Sequence, residues 1–156
     1  MTDEDFMRLA IRKAREGINK GQTPFAACIV RNGRVIACEH NLVWHTTDIT
    51  AHAEITAIRR ACGRLKTIDL SGCVLYSTCE PCPMCFSACH WARIGTIVYG
   101  TRIADAKRAG FHELTIPSGT MRRLGRSAVI VKGGIARQQS RRLFELWSIQ
   151  PRRRAY

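Results

Sequence analysis

The chain has 156 residues, of which 46% are hydrophobic, so it has the size and composition of one folded domain and is neither disordered nor collagen-like. Its 25 Lys and Arg residues against 12 Asp and Glu residues give a net charge of +13, and residues 101–156 hold 13 of the basic residues but only 3 of the acidic ones. Such a surplus suggests a nucleic acid or another anionic partner.

The first predicted elements are a helix and a hairpin. Apolar side chains recur at helical spacing over residues 3–20, and Thr2 can cap the start of that helix. Two apolar runs, 25–30 and 35–38, flank an Asn-Gly pair at 32–33, which is a strong signal for a tight β-turn. We therefore expect two antiparallel strands directly after the first helix.

Beyond the hairpin, predicted helices and strands alternate. The helices are expected at 51–64, 83–93, 103–110 and 135–147, and the strands at 73–77, 97–99 and 128–131. This alternation favours a mostly parallel sheet with helices on its faces. Residues 115–126 are expected to be irregular. We therefore predict one domain over residues 1–149 and a basic tail over 150–156.

Eight cysteines are many for this length, and their placement separates them into two sets. The acidic N-terminus does not look like a secretory signal, and no apolar run approaches the length of a membrane span, so a cytoplasmic protein with reduced thiols is expected. Four scattered cysteines are predicted to be small buried apolar residues: Cys28, Cys38, Cys62 and Cys73. The other four lie within eleven residues: Cys79, Cys82, Cys85 and Cys89.

Two short motifs stand at the starts of predicted helices, His52-Ala-Glu54 and Cys82-Pro-Met-Cys85. The two thiols are three residues apart and would share a helix face, and the amides of a helix start favour their thiolate forms. Together with one imidazole they leave the fourth position of a tetrahedral Zn²⁺ open, as in catalytic zinc sites. Glu54 would then take a proton from the attacking water. H-x-E followed by P-C-x-x-C is the zinc deaminase signature, in which the Glu is not a ligand.

Through these motifs, in segments 50–58 and 78–85, the chain resembles the cytidine-deaminase-fold superfamily, and within it the bacterial guanine deaminase branch. The resemblance implies an α/β fold, a three-layer α/β/α sandwich with a five-stranded mixed sheet. It also implies one Zn²⁺ per subunit on His52, Cys82 and Cys85, with Glu54 as the proton shuttle. The implied protein is a homodimer of purine metabolism that hydrolyses free guanine to xanthine and ammonia.

Local details distinguish this branch from the tRNA adenosine deaminases, which share both motifs. Cys79 before Glu-Pro-Cys, Phe25 after Thr-Pro, and Ala-Gly-Phe at 109–111 are similar to guanine deaminases. Glu113 is a departure, because that branch carries Asp in this segment. Cytosine, a related purine or a triazine therefore stays open as the substrate. Residues 115–147 look more like the ordinary helical ending of the superfamily.

The resemblance also implies a set of substrate contacts: Phe25, Asn41, Ala53, Trp91, Glu113 and Tyr156. Asn41 would hydrogen-bond the base, Phe25 and Trp91 would form aromatic walls, and Tyr156 would enter the pocket of the partner subunit. Each has a plainer interpretation. The asparagine can end a strand at a turn, the two aromatic residues can belong to the core, and a terminal tyrosine is often disordered.

The four clustered cysteines also spell C-x₂-C-x₂-C-x₃-C, a spacing typical of bacterial iron–sulfur ligands. This alternative leaves the His-Ala-Glu motif unexplained, and the residue after the fourth cysteine is His90 rather than Pro. It also requires Cys79 at a strand end and Cys89 inside a helix to join one cage.

The charge of the last third motivates a different class, RNA binding or editing. Phosphates would then contact the arginines at 137, 141, 142 and 152–154, and a flipped base would enter the same zinc pocket. Transfer RNA therefore stays a possible partner beside a small nucleobase. No membrane partner is expected.

Overall fold

A computed structural model describes all residues, 1–156, as one five-stranded mixed sheet with helices on both faces. The strands are β1 (Ala26–Arg31), β2 (Arg34–His40), β3 (Cys73–Cys79), β4 (Thr96–Thr101) and β5 (Ile130–Gly133). The helices are α1 (Asp3–Asn19), α2 (Val43–Thr46), α3 (Ala53–Leu65), α4 (Pro83–Trp91), α5 (Ile103–Arg108), α6 (Ser118–Leu124) and α7 (Arg137–Ser148). The three-layer α/β/α sandwich expected from the resemblance is confirmed.

The sheet has the order β2-β1-β3-β4-β5. β1 pairs with both β2 and β3 in antiparallel fashion, whereas β3, β4 and β5 run parallel. The predicted turn joins β1 to β2, and its two residues, Asn32 and Gly33, have φ of 50° and 73°. Both positions therefore adopt the left-handed conformation that an Asn-Gly pair tolerates.

The core has two halves, one on each face of the sheet. Alternate residues of β1 point to opposite faces, so Cys28 and Val30 pack with α1 and α7, whereas Ala27 and Ile29 pack with α3 and α4. Helix α1 is fixed at its start by a reciprocal cap between Thr2 and Asp5, as predicted for Thr2. The sheet thus holds the starts of α3 and α4 on the same face.

Three local expectations are wrong. The stretch 115–126 is not irregular throughout, because Ser118–Leu124 forms α6 without a capping side chain of its own. A four-residue helix, α2, follows β2 where none was expected. Cys28 and Cys38 are not separate buried thiols: they are direct cross-strand partners in the hairpin and are joined by a disulfide.

None of the seven helices is both long enough and apolar enough to cross a membrane.

Candidate active site

Three predicted metal ligands meet at the starts of two helices. His52 is the residue directly before α3 and Cys82 the residue directly before α4, with Cys85 about one turn further along α4. The Nδ1 atom of His52 lies 3.7 Å from the sulfur of Cys82 and 3.5 Å from that of Cys85. The cluster contains no fourth His, Cys, Asp or Glu, and its donor atoms all lie within 4.8 Å of one another.

This donor set fits zinc. Tetrahedral zinc with ordinary Zn–N and Zn–S bond lengths places nitrogen and sulfur ligands about 3.6 Å apart, which matches the two distances found here. One imidazole and two sulfurs leave one position for a water or substrate. We therefore assign the zinc to His52, Cys82 and Cys85.

The two sulfurs differ in their protonation. A hydrogen bond from Cys85 and the nearby His52 lower the pKa of Cys82 to about 4. Burial raises the pKa of Cys85 far above its usual value. The metal-free chain thus offers one thiolate, and metal binding must release the proton of the other.

Glu54 is buried beside the metal ligands without joining them. Its Oε2 accepts a hydrogen bond of 3.5 Å from Cys85, and its Oε1 accepts one of 3.3 Å from Ser77 on β3. Burial, together with the Cys82 thiolate, raises the pKa of the Glu54 carboxyl above its usual value. Burial therefore favours the protonated form of this carboxyl, and its place beside the ligands suits it to proton transfer.

The four clustered cysteines do not come together as the ligands of an iron–sulfur cluster. Cys79 and Cys89 are both buried, but neither belongs to the cluster of His52, Cys82 and Cys85. Burial raises the pKa of both thiols, so each behaves as a protonated apolar side chain. Cys79 instead directs its S–H to the main-chain oxygen of Arg102 at 3.6 Å.

Several of the predicted substrate contacts lie around a recess beside Glu54. Phe25, Asn41 and Glu113 line it together with His52 and Cys82. Asn41 is fully buried, and its Oδ1 accepts a hydrogen bond of 3.0 Å from the backbone of Val43. Burial and the Cys82 thiolate raise the pKa of Glu113 to about 7. Ala53 is fully buried as the first residue of α3, where a backbone N–H has no partner within the helix.

Tyr156 lies in the pocket formed by the same chain. Its hydroxyl accepts a hydrogen bond of 2.7 Å from Nδ2 of Asn41, and its main-chain oxygen accepts one of 2.8 Å from the N–H of His112. Its ring centroid lies 5.4 Å from those of both His52 and Phe111. These contacts hold the tail within the chain, and its reach into a partner subunit stays a prediction.

Trp91 does not form a wall of this pocket. It ends α4, about 12 Å along the helix axis from Pro83, and its side chain is 84% exposed. The buried face of α4 belongs to Cys85, Phe86 and Cys89. Of the two predicted aromatic walls only Phe25 lines the recess, and the buried Phe111 ring packs edge to face against it with centroids 4.8 Å apart.

Glu80 is the functional residue that sequence reasoning missed. It is buried beside the recess, and each of its carboxylate oxygens accepts a backbone N–H at a helix start, from Ile103 at 3.0 Å and from Ser118 at 2.8 Å. It therefore caps α5 and α6, neither of which begins with a capping side chain that accepts from the backbone. The sequence signal that could have pointed to Glu80 is its place between Cys79 and the metal ligand Cys82.

Comparisons with known proteins agree with this geometry. The family model of the cytidine and deoxycytidylate deaminase zinc-binding region matches residues 1–101 of this chain. The guanine deaminase of Bacillus subtilis is 46% identical over 114 residues, which covers 72% of this chain and 73% of that protein. A tRNA-specific adenosine deaminase of Aquifex aeolicus is 43% identical over 110 residues, covering 70% of this chain and 72% of that protein.

A solved structure extends the likeness into the last third. The guanine deaminase from Nitrosomonas europaea superposes with a TM-score of 0.86 at 31% identity, covering 94% of this chain and 85% of that chain. Its fold therefore reaches through most of residues 115–147, where the sequence resembles the guanine branch only weakly.

Proposed function

Because the chain belongs to the cytidine and deoxycytidylate deaminase zinc-binding family and is a zinc-dependent aminohydrolase, we propose that its substrate is a free nucleobase, and first of all guanine. The products would be xanthine and ammonia. The observation that carries the proposal is the buried Glu54 carboxyl, 3.5 Å from the sulfur of Cys85 and beside a ligand set with one open position.

The chain's own residues supply proton transfer. His52, Cys82 and Cys85 would hold the zinc, which would lower the pKa of a water molecule towards neutrality and so make it a nucleophile. Oε1 of Glu54 is held by Ser77, so Oε2 faces the ligands and can accept a proton from the attacking water. That proton passes to the ring nitrogen next to the attacked carbon. The water oxygen stays on that carbon, the C–N bond breaks, and Glu54 returns the second water proton to the leaving ammonia.

The recess supplies orientation. The Nδ2 amide of Asn41 can donate to a carbonyl oxygen of the base, while Glu113 can accept from ring N–H and amino groups. Phe25 lines the recess and offers an aromatic surface for a planar base. One further methylene in Glu113, compared with Asp, keeps cytosine and triazines as alternatives to guanine.

Two features support a small substrate over tRNA. The cavity at the mouth of the site measures about 240 Å³, below the roughly 300–1,000 Å³ typical of pockets for larger ligands. Tyr156 also lies across the pocket, where an anticodon loop would have to enter. The charge of residues 101–156 and the likeness to tRNA deaminases favour tRNA as the second candidate.

The deciding experiment is ammonia release from the purified zinc protein. The substrates are guanine, cytosine, adenine, their nucleosides, ammeline and a tRNA anticodon stem. We expect turnover to be fastest on guanine and insensitive to salt. Turnover confined to the tRNA stem, with affinity that falls steeply as salt rises, would replace this proposal by the second candidate.

The homodimer implied by the resemblance stays a prediction. The 84% exposed Trp91 and the 37% exposed Met84 put apolar surface on the outer side of α4, which supports it. Size-exclusion chromatography with light scattering tests it: a dimer gives twice the mass of the chain, and a single-chain mass at micromolar concentration contradicts it.

A further inference from the structure

Asn41 is held by the protein at nearly every polar atom. Its backbone N–H donates to the main-chain oxygen of Phe25 at 2.9 Å, and its side-chain Oδ1 accepts from the N–H of Val43 at 3.0 Å. One N–H of its Nδ2 donates to the hydroxyl of Tyr156 at 2.7 Å. The other Nδ2 N–H remains for a base in the recess that Asn41 lines, so the direction of this N–H depends on how firmly the rest of the residue is held.

The main-chain oxygen of Asn41 is bound by the side chain of the preceding residue, His40. The Nδ1 atom of this imidazole lies 2.8 Å from that oxygen. A carbonyl oxygen can only accept, so Nδ1 must carry a hydrogen and donate it. The N–H of the same peptide group, that of Leu42, donates to the main-chain oxygen of Ala51 at 3.0 Å. The peptide group that follows Asn41 is therefore fixed on both sides, and His40 supplies one of the two bonds.

His40 is the last residue of β2 and is buried against α1. The ring fits there because residue 17 of α1 is glycine. A Cβ atom at Gly17 would lie 2.9 Å from both Cβ and Cγ of His40, which is closer than such carbons approach one another. The imidazole is thus packed against the backbone of α1, and this packing limits its freedom to turn away from the Asn41 oxygen.

His40 does not itself line the recess beside Glu54. It borders a separate depression of about 160 Å³, which shares no lining residue with the recess. Any influence of His40 on a bound base must therefore pass through Asn41.

We propose that His40 is a positioning residue for base recognition, because its hydrogen bond to the Asn41 oxygen sets the direction of the free Nδ2 N–H. The inference rests on the proposed function for the contact between Asn41 and the base, but not for the hold of His40 on Asn41. A contact that binds the base equally in the ground state and the transition state changes KM and leaves kcat unchanged. Loss of the His40 bond should therefore appear in KM.

The first test compares two replacements of His40 in the zinc-loaded protein. His40→Leu has no donor, so KM for guanine should rise about tenfold while kcat stays within about twofold and zinc stays at one per chain. In His40→Asn the amide Nδ2 is bonded to Cγ, as Nδ1 is in histidine, so it can donate to the same oxygen. This variant should keep KM within about threefold of the parent. His45→Leu removes another imidazole of the same depression, one without a hydrogen bond to Asn41, and is the matched control.

A second measurement does not depend on the substrate. Deuterium exchange at the Val43 amide should be at least about fivefold faster in His40→Leu, because a shifted Asn41 no longer keeps Oδ1 on that N–H. His40→Asn should restore the parental exchange rate. In the parent, long-range ¹⁵N–¹H correlation spectra should show His40 protonated at Nδ1, which reports the hydrogen bond without any substitution.

Three outcomes would overturn the positioning role: an Nδ1 without a hydrogen in the parent, KM and exchange in His40→Leu equal to those of His45→Leu, or KM in His40→Asn as high as in His40→Leu. Faster exchange at Val43 with unchanged KM would instead count against the contact between Asn41 and the base, and would support the hold of His40 on Asn41.

Discussion

The side-chain amide of Asn41 donates a hydrogen bond of 2.7 Å to the hydroxyl of Tyr156. The same side chain accepts from Val43 through Oδ1, so both ends of the amide are engaged inside the protein. The residue proposed to read the base therefore also holds the C-terminal tyrosine. Because Nδ2 carries two N–H groups, the one that Tyr156 does not use remains for the base.

Replacing Asn41 separates its hydrogen bond to Val43 from its proposed contact with the base. Asn41→Ala leaves the Val43 N–H without its acceptor and should lower the free energy of unfolding by about 1–3 kcal/mol, measured by urea denaturation. Asn41→Asp keeps that acceptor and should recover most of the stability. Because the carboxylate has no N–H donor for the base, both variants should lose about 100-fold in kcat/KM for guanine. Normal kcat/KM in Asn41→Asp would show that the Nδ2 donor does not contact the base.

Local patterns predicted the fold and the metal ligands well. The Asn-Gly turn, the alternation of strands and helices, and the spacing of Cys82 and Cys85 each depend on residues close in sequence. His52 joins them because β2 and β3 are both antiparallel to β1 and so run in the same direction, which lets the helices that follow them begin at the same edge of the sheet.

Contacts between distant segments were not predictable in the same way. The two helix starts capped by Glu80 come 23 and 38 residues later, so no window of sequence contains the carboxylate and its donors. Trp91 was assigned to the aromatic wall but is 84% exposed, because hydrophobicity does not tell which side of a helix meets the pocket. The indole N–H of Trp44 donates to the main-chain oxygen of Arg154, a contact across 110 positions.

Glu54 carries the proton in the proposed mechanism, so its replacement should stop turnover without emptying the metal site. We expect Glu54→Gln to lower kcat on guanine at least about 1,000-fold, at the upper part of the range for general acid–base groups. Zinc content by mass spectrometry should stay at one per chain, since Glu54 is not a ligand. The exposed Glu145→Gln on α7 serves as the control and should keep full turnover. Appreciable turnover by Glu54→Gln would remove Glu54 as the shuttle.

The assignment of three ligands predicts that only Cys82 and Cys85, among the cysteines, are needed to bind zinc. Cys82→Ser should lose zinc and activity together, because a serine hydroxyl is a poor substitute for the thiolate at this position. Cys89→Ala should keep one zinc per chain, since its buried thiol lies outside the cluster. Chelation of the parent protein should abolish ammonia release, and added Zn²⁺ should restore it. Loss of metal from Cys89→Ala, or iron in place of zinc, contradicts the assignment.

Replacing Glu80 tests whether its carboxylate holds the starts of α5 and α6 in place. Its two oxygens hold the first N–H groups of α5 and α6, and the segment before α6 carries Glu113. In Glu80→Gln one of those N–H groups faces the amide NH₂ and loses its acceptor inside the protein. We therefore expect the free energy of unfolding to fall by about 1–3 kcal/mol, measured by urea denaturation.

The activity of Glu80→Gln distinguishes a shift of the Glu113 segment from a general loss of stability. Because the start of α6 loses its anchor, the Glu113 segment should shift, so KM for guanine should rise about tenfold while zinc content is unchanged. Deuterium exchange at the Ser118 amide should increase in step, which reports the lost hydrogen bond directly. Glu145→Gln again gives the baseline for neutralising a carboxylate at an exposed position. A Glu80→Gln protein as stable as Glu145→Gln, with unchanged exchange at Ser118, would mean that Glu80 does not hold these helices.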